Sequence, residues 1–405
     1  MSNILVITQE YPADDIAKEF TPVVHLFAKE WVKLGHSVRV VNCPSNFPDI
    51  YYQVCKPFRR KIESLLGINI RMYSIERREY VLDNVPVLRL PLTKLKPHGR
   101  FAAKRIKYAV ESTVTFCEKD SFVPDVIVGH WVNPALEIMQ ILKRKYNVPI
   151  TLVMHDDGCD FDSIYKNCYQ SMIDDIDMIG YRSKAIKERF EKKFGKKDKW
   201  FYCYSGVPDE YLKGVDTMPK KDFSAIKNFI YVGLLIKRKH PNELLEALIK
   251  SEINDFSLKF IGEGDEAKSI QNTLTDNSLV DAKVELLGRV SRDKVQTYLR
   301  ASEVFIMVSK KEAFGLVYIE AMAAGCITIA SKREGVDGVI IDGVNGFLCE
   351  AGNVEELTLI INKINQMPKE ELEKISLNAI ATAKRMTDSN VAKDYIDNIS
   401  NLAKK

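Results

Sequence analysis

Two carboxylates, Glu312 and Glu320, are separated by seven residues in the stretch SKKEAFGLVYIEAMAAG, residues 309–325. The run VFIMVS before them, 304–309, has the β-branched and aromatic content of a buried parallel strand. Residues 310–314 make a loop, and 316–324 place Leu, Ile, Ala and Met at helical spacing. Strand, loop and helix in that order aim the unpaired N–H groups and positive dipole end of the helix at the loop, a seat for an anion such as a diphosphate. Gly315 lets a ligand approach that seat closely. With the helix starting there, Glu320 lies roughly 7 Å further along the axis, about where a ribose lies from its own diphosphate. A carboxylate accepts hydrogen bonds from both ribose hydroxyls, so the pair reads as a clamp for a nucleotide sugar. The same spacing also fits two solvated acids near a helix start, where negative charge is favoured.

Such a pair needs a scaffold. At 405 residues the chain is too long for one core and suits two α/β domains of roughly 200 residues each. Residues 4–9, 37–43, 85–91, 125–130, 149–155 and 177–183 read as strands of a first domain, with a helix over about 23–34. A second series, 229–235, 257–264, 283–290, 304–309, 327–331 and 347–350, is separated by helices at 242–250, 266–275, 293–301 and 316–324. Gly206, Pro208, Gly214 and Pro219 mark the boundary. The expectation is an α/β chain of two Rossmann-like, doubly wound parallel-sheet domains, 1–205 and 206–385, facing a cleft. In such sheets ligands bind outside the carboxyl ends of the strands. Residues 386–405 carry Val391, Ala392, Tyr395, Ile396, Ile399 and Leu402 at helical spacing.

Composition narrows the class. No run approaches the ~18 apolar residues of a membrane span, and MSNILVITQEYP reads as a first strand rather than a leader. The eight cysteines show no CxxC spacing, so neither a disulfide framework nor a zinc site is indicated and a reducing cytoplasm is expected. The formal charge of +4 is uneven: residues 56–107 hold fourteen Lys or Arg against four acids. This basic stretch, interleaved with Phe58, Leu65, Leu66, Tyr73, Phe101, Ile106 and Tyr108, fits an amphipathic surface on an anionic membrane face. A solvated helix face above ordinary core residues fits it too. No nucleic-acid motif accompanies the charge, and no nucleic acid is expected as a partner.

The stretch holding Glu312 and Glu320 resembles the E-x7-E element of family 4 glycosyltransferases, retaining enzymes of GT-B architecture. YVGLLIKRKH (231–240), FIGEGDE (260–266), LLGRVSRDKV (286–295) and DGVNGFLCE (342–350) resemble elements of the same family, in the same order. So do GHWVNP (129–134), MHDD (154–157), GYRS (180–183) and SGVP (205–208) of the first half. The resemblance implies that Glu320 binds the donor ribose and Glu312 the donor sugar. Backbone N–H groups of Phe314, Gly315 and Leu316 would hold sugar or diphosphate, near Gly233. Lys239, with Arg238 beside it, would neutralise the departing diphosphate without a metal or other cofactor. Arg289 and Val290 would frame the base, and His130 would reach the transferred sugar. The last helix, 386–405, would return to the first domain.

Two positions depart from the family pattern. Leu234 stands where an arginine is common, and the first loop, AKEFTPVV, has no Gly-Gly pair. Lys18 and Thr21 could substitute there, and Asp156 and Asp157 either touch the acceptor or serve as loop acids. No enzymic nucleophile is indicated; the leaving phosphate could itself help deprotonate the acceptor. The resulting expectation is a cytoplasmic retaining hexosyltransferase, peripheral at the inner face of the cell membrane. It would move sugar from a nucleotide sugar, with UDP expected, to a glycan or lipid-linked acceptor in surface-polysaccharide synthesis. The alternatives are a GT-B sugar-nucleotide epimerase and a silent binding partner of a transferase.

Overall fold

The run NILVIT forms the strand Asn3–Thr8, whose last five residues are buried, because a central parallel strand is covered on both faces. This computed structural model describes residues 1–16, 22–58, 73–96, 98–214, 221–276 and 283–403. The chain divides into one unit of Met1–Arg182, Ile186–Cys203 and Val391–Lys405, and a second of Ser183–Ala185 and Tyr204–Asn390.

The first unit carries an eight-stranded sheet in the order Trp200–Tyr202, Met178–Tyr181, Ile150–Met154, Val126–His130, Asn3–Thr8, Ser37–Asn42, Val85–Arg89, Arg78–Leu82. Every neighbouring pair is parallel except the last. Arg78–Leu82 turns back on Val85–Arg89 through Asp83 and Asn84, at φ 47° and 62°. Two successive positive-φ residues make the primed turn that suits the twist of a hairpin. The sheet is the parallel one expected from sequence, with this one antiparallel strand added at its edge. Both outer strands escaped the sequence reading because they are short and polar or aromatic, the usual character of protected edges.

The basic stretch also changes character. Residues 59–72, including Leu65 and Leu66, lie outside the described residues. Phe101 and Ile106 are core residues at 2% and 4% exposure, so they are not part of an amphipathic face, whereas Phe58, Tyr73 and Tyr108 are exposed. At least four of the cations meet acids outside the stretch, among them Arg100 with Glu137 at 2.6 Å and Lys107 with Glu111 at 3.8 Å. Buried Arg89 donates to both oxygens of Asp15 at 2.6 and 2.7 Å, and Arg78 pairs with Asp14 at 2.5 Å. These pairs hold both aspartates below the usual carboxylate range, the arginine hydrogen bonds being the main cause.

The helix Asp388–Ala403 supplies a side chain to the core of this first unit. Tyr395 is 1% exposed and meets Trp31 edge-on at 4.9 Å and Phe27 at 5.2 Å. Trp31 Nε1 donates to the Ala392 carbonyl at 2.9 Å.

The second unit holds a wholly parallel sheet ordered Lys283–Leu286, Ser257–Ile261, Asn228–Val232, Val304–Ile306, Ile327–Ser331, Phe347–Cys349. The helix Leu316–Ala323 buries Tyr318 through Ala323, as a helix apolar on nearly all sides must. It packs on the helix Lys369–Arg385, whose Ser376 hydroxyl donates to the Gly325 carbonyl at 2.7 Å. Paired strands end sooner than the apolar runs do. The run 304–309 pairs only over Val304–Ile306, and 229–235 only up to Val232. The residues that leave the ladder form the loops at the carboxyl ends, where this architecture puts ligands.

Two of those loops touch through backbone alone. Gly262, at φ +143°, faces the Gly233 carbonyl so closely that a Cβ would lie 1.8 Å from its oxygen. Gly262→Ala is therefore expected to destabilise by about 3 kcal/mol, seen as a lower urea midpoint at unchanged slope. An unchanged midpoint would show that the loops can part without cost.

Candidate functional site

In the second unit, Gly315 is the N-cap of the helix Leu316–Ala323, at φ +85°, and a Cβ there would lie 2.4 Å from the Tyr318 ring. Only glycine fits. The Tyr318 hydroxyl donates to the Met307 carbonyl at 2.7 Å and stands 3.1 Å from Ser309 Oγ, which ties the helix to the end of its preceding strand. Burial and the nearby Glu312 carboxylate push this hydroxyl well above the usual tyrosine range. Phe314 is buried and stacks on Tyr204 at 5.5 Å, and Leu316 opens the helix. The first-turn N–H groups of such a helix have no partner within it and carry the positive dipole end.

The loop before the helix is held from two sides. The Glu312 N–H donates to Glu334 Oε2 at 3.0 Å, and a Cβ on Gly335 would fall 2.3 Å from the Phe314 carbonyl oxygen. Glu312 Oε2 lies 3.2 Å from Lys239 Nζ and 3.9 Å from Arg238 Nη1, and Ser309 Oγ donates to it at 3.3 Å. Glu312 and Lys239 are each 13% exposed. Both cations come from the short 3-10 turn Lys237–Lys239 that follows the strand Asn228–Val232. The structure thus brings Glu312, Lys239 and Arg238 together. Leu234 is 48% exposed and supplies no cation, so Arg238 is the second cation beside Glu312. Gly233 lies against the same group: a Cβ there would be 3.2 Å from Met307 Sδ and 3.6 Å from Lys239 Cδ.

Glu320 sits one turn into the helix at 6% exposure, and its Oε1 accepts from Arg292 Nε at 2.8 Å and Nη2 at 2.6 Å. Arg289 is exposed and Val290 half-buried, just before Ser291, the N-cap of the helix Arg292–Arg300. Arg292 and Glu334 were missed in sequence. Glu334 follows the carboxyl end of the strand Ile327–Ser331, a position that could have marked it. Arg292 stands inside the quoted run LLGRVSRDKV, but nothing local to it signals a partner twenty-eight residues away.

In the first unit, His130 ends the strand Val126–His130, as expected, but its ring is fully buried, at 0% exposure. Phe27, Trp131 and Tyr395 lie 6.2–6.4 Å from it, centroid to centroid. The expectation that His130 offers its ring to a sugar is corrected here: the strand end turns it inward. Its Nδ1 lies 3.0 Å from His155 Nε2, while Nε2 has no partner among the described residues. His155, within the quoted run MHDD but given no role there, is stacked on half-buried Trp131 at 3.9 Å, and Trp131 holds φ +64°. For so bulky a residue that is an outlier of the kind found at functional sites. Asp156 Oδ1 accepts from Gly158 N at 2.8 Å and Cys159 N at 3.0 Å, the work of a loop acid at the start of the helix Cys159–Ser163. Lys18 and Thr21 lie outside the described residues. Among the described residues, Asp156, Asp157 and Cys159 form the one group of three or more His, Cys, Asp or Glu side chains whose ligand atoms all lie within 4.8 Å of one another. Asp157 is already paired with Lys193 at 3.1 Å.

Burial, with a smaller effect of the Arg182 charge, lowers His130 to about 3, and His155 falls well below its ordinary value for the same leading reason. Both are neutral when folded, whereas the unfolded chain protonates them below about pH 6.5. The unfolded state then binds more protons, so their contribution to stability is whole above about pH 6.5 and is lost as pH falls. Stability should drop by up to about 1.4 kcal/mol per pH unit for each ring. His130→Gln is expected to flatten the pH 6.5–5 dependence of the urea midpoint by about one proton. An unaltered slope would mean that His130 takes up its proton in the folded state.

Two Rossmann-like units, the second with an acid before a helix N-terminus and another within the helix, have the GT-B fold of glycosyltransferases. The profile of the family glycosyl transferases group 1 matches residues 219–382. An uncharacterized glycosyltransferase of Methanocaldococcus jannaschii is 32% identical over 342 residues, 81% of this chain and 89% of that protein. The chain belongs to the group 1 glycosyltransferases. The alpha-monoglucosyldiacylglycerol synthase of Acholeplasma laidlawii is 30% identical over 195 residues, 46% of this chain and 48% of that one. The crystal structure of Anabaena Alr3699/HepE in complex with UDP and glucose superposes with a TM-score of 0.63 at 18% identity, covering 99% of this chain and all of that one.

Proposed function

We propose that this glycosyltransferase moves a hexose-like sugar from a nucleotide sugar, with UDP as the nucleotide, to a saccharide acceptor carried on a lipid. The observation that carries the donor side is the cluster of Lys239 and Arg238 around Glu312 beside the helix that opens at Gly315. A diphosphate there meets two cations and a helix N-terminus. Lys239 stabilises the negative charge that grows as the nucleotide leaves, and Glu312 orients the sugar. Glu320 accepts the ribose hydroxyls, and Arg289 and Val290 flank the base. With cations already in place the transfer runs without a metal. Retention is proposed on the likeness to family 4 enzymes, with the leaving phosphate taking the acceptor proton. Asp156 is proposed on the acceptor side from its place after the strand Ile150–Met154, and Lys18 and Thr21 from theirs in the first loop.

UDP is favoured by the fold shared with a protein crystallised with UDP and glucose. A lipid-linked acceptor, as in surface-polysaccharide synthesis, is favoured by the relative named for a glucosyldiacylglycerol and by the exposed cations of 56–107. No described helix is long and apolar enough to cross a membrane, and attachment by a basic surface at the inner face of the cell membrane requires none.

Thermal denaturation with UDP, GDP and ADP, and with their sugar conjugates, tests the donor side. The correct nucleotide at a hundredfold excess over its Kd should stabilise the chain by about 2.7 kcal/mol, and Glu320→Ala should reduce that gain. Millimolar nucleotides without effect would overturn the reading.

A further inference from the structure

We infer that Arg292 is a positioning residue for the donor nucleotide: it fixes the Glu320 carboxylate so that one oxygen is left to accept the ribose hydroxyls. The inference rests on the nucleotide-sugar reading of the same site and adds a residue that the reading does not require.

The geometry is specific. Both donors of the Arg292 fork, Nε at 2.8 Å and Nη2 at 2.6 Å, converge on Oε1 of Glu320. No described residue donates to Oε2. A carboxylate at 6% exposure is costly to keep charged without a partner, and free of one it would rotate. With Oε1 occupied by two N–H groups, rotation is blocked and the remaining charge is directed through Oε2.

Arg292 is itself held. Its guanidinium stands 5.8 Å from the centroid of the Tyr211 ring, and the Tyr211 carbonyl accepts from Arg300 Nη2 at 3.1 Å. Arg292 is also the first residue of the helix Arg292–Arg300, where the dipole disfavours a cation. A pair serving only to join two helices could be built with the opposite polarity and without that penalty. Lysine cannot replace the fork, because its single ammonium lacks two coplanar donors.

A double-mutant cycle on the full chain tests this. The dissociation constants of UDP, GDP and ADP, and of the 2′,3′-dideoxy form of whichever binds, are measured by titration calorimetry for wild type, Arg292→Gln, Arg292→Lys, Glu320→Gln and Arg292→Gln/Glu320→Gln. Arg292→Gln should weaken the nucleotide about tenfold, with Arg292→Lys intermediate. Glu320→Gln should weaken it at least as much, and the double variant no further. The preference of wild type for the ribonucleotide over its dideoxy form should shrink in Arg292→Gln.

Each contrary result is distinct. An Arg292→Gln chain that melts earlier but binds and discriminates like wild type makes the pair purely structural. Equal losses from Arg292→Gln with and without Glu320 mean that Arg292 meets the ligand directly. Either result overturns the inference and leaves the donor reading standing. Wild-type binding that is indifferent to Glu320→Gln removes the ribose reading and the inference together, as does the absence of binding by any of the three nucleotides.

Discussion

Lys239→Met should lower kcat by about 10²–10³ with little change in KM for the nucleotide sugar. The lysine Nζ stands 3.2 Å from Glu312 and is 13% exposed, on the turn that follows the strand Asn228–Val232. In the proposed reaction the charge on the diphosphate grows as the bond to the sugar breaks. A cation placed there acts mostly on the transition state, and its loss appears in kcat rather than in substrate binding. Arg238, 3.9 Å from Glu312, cannot take over the position, because its donors are a planar fork on a different stem. Glu312 keeps Ser309 at 3.3 Å and Arg238 at 3.9 Å in the variant, so its carboxylate is not left without partners. Equal turnover by wild type and variant in a steady-state assay with the identified donor would remove Lys239 from the mechanism. A raised KM at constant kcat would make it a ground-state binding group.

Tyr395→Ala should destabilise the chain by about 3–5 kcal/mol. The residue lies ten positions from the end of the sequence, where loss is usually tolerated, but its ring is buried against Trp31 and Phe27. Removing it leaves a cavity lined by aromatic rings that are fixed in strand and helix and cannot collapse into it. Its hydroxyl is buried without a partner among the described residues, so Tyr395→Phe should be neutral or slightly stabilising. That pair of variants separates packing from hydrogen bonding in one urea titration. A Tyr395→Ala chain with the wild-type midpoint would show that the helix Asp388–Ala403 adds nothing to the core of the first unit.

Unequal parts of these arguments were open to a reader of the sequence. Strand and helix order was legible because parallel strands buried on both faces are continuous apolar runs, as in NILVIT and VFIMVS. Glu312, Gly315 and Glu320 were legible because one strand, one loop and one helix place all three, and their spacing survives whatever surrounds them. Lys239 was singled out by the family resemblance alone, since nothing in the run KRK distinguishes it from its two neighbours.

The tertiary structure decided what depends on meetings between distant segments. Arg292 reaches Glu320 and Glu334 reaches Glu312 across different crossovers of one sheet, and no local pattern encodes which loop lies beside which. His130 occupies the expected strand end, yet the direction of its ring is set by Phe27, His155 and Tyr395, from three other segments. The edge strand Arg78–Leu82 exists because a turn at Asp83 and Asn84 folds it onto Val85–Arg89 and because Arg89 finds Asp15 from the first loop. Local spacing and hydrophobic period were enough to write the loop of Glu312 and Gly315 into the sequence. Which oxygen of Glu320 stays free, and which histidine is hidden, were fixed only when packing chose the neighbours.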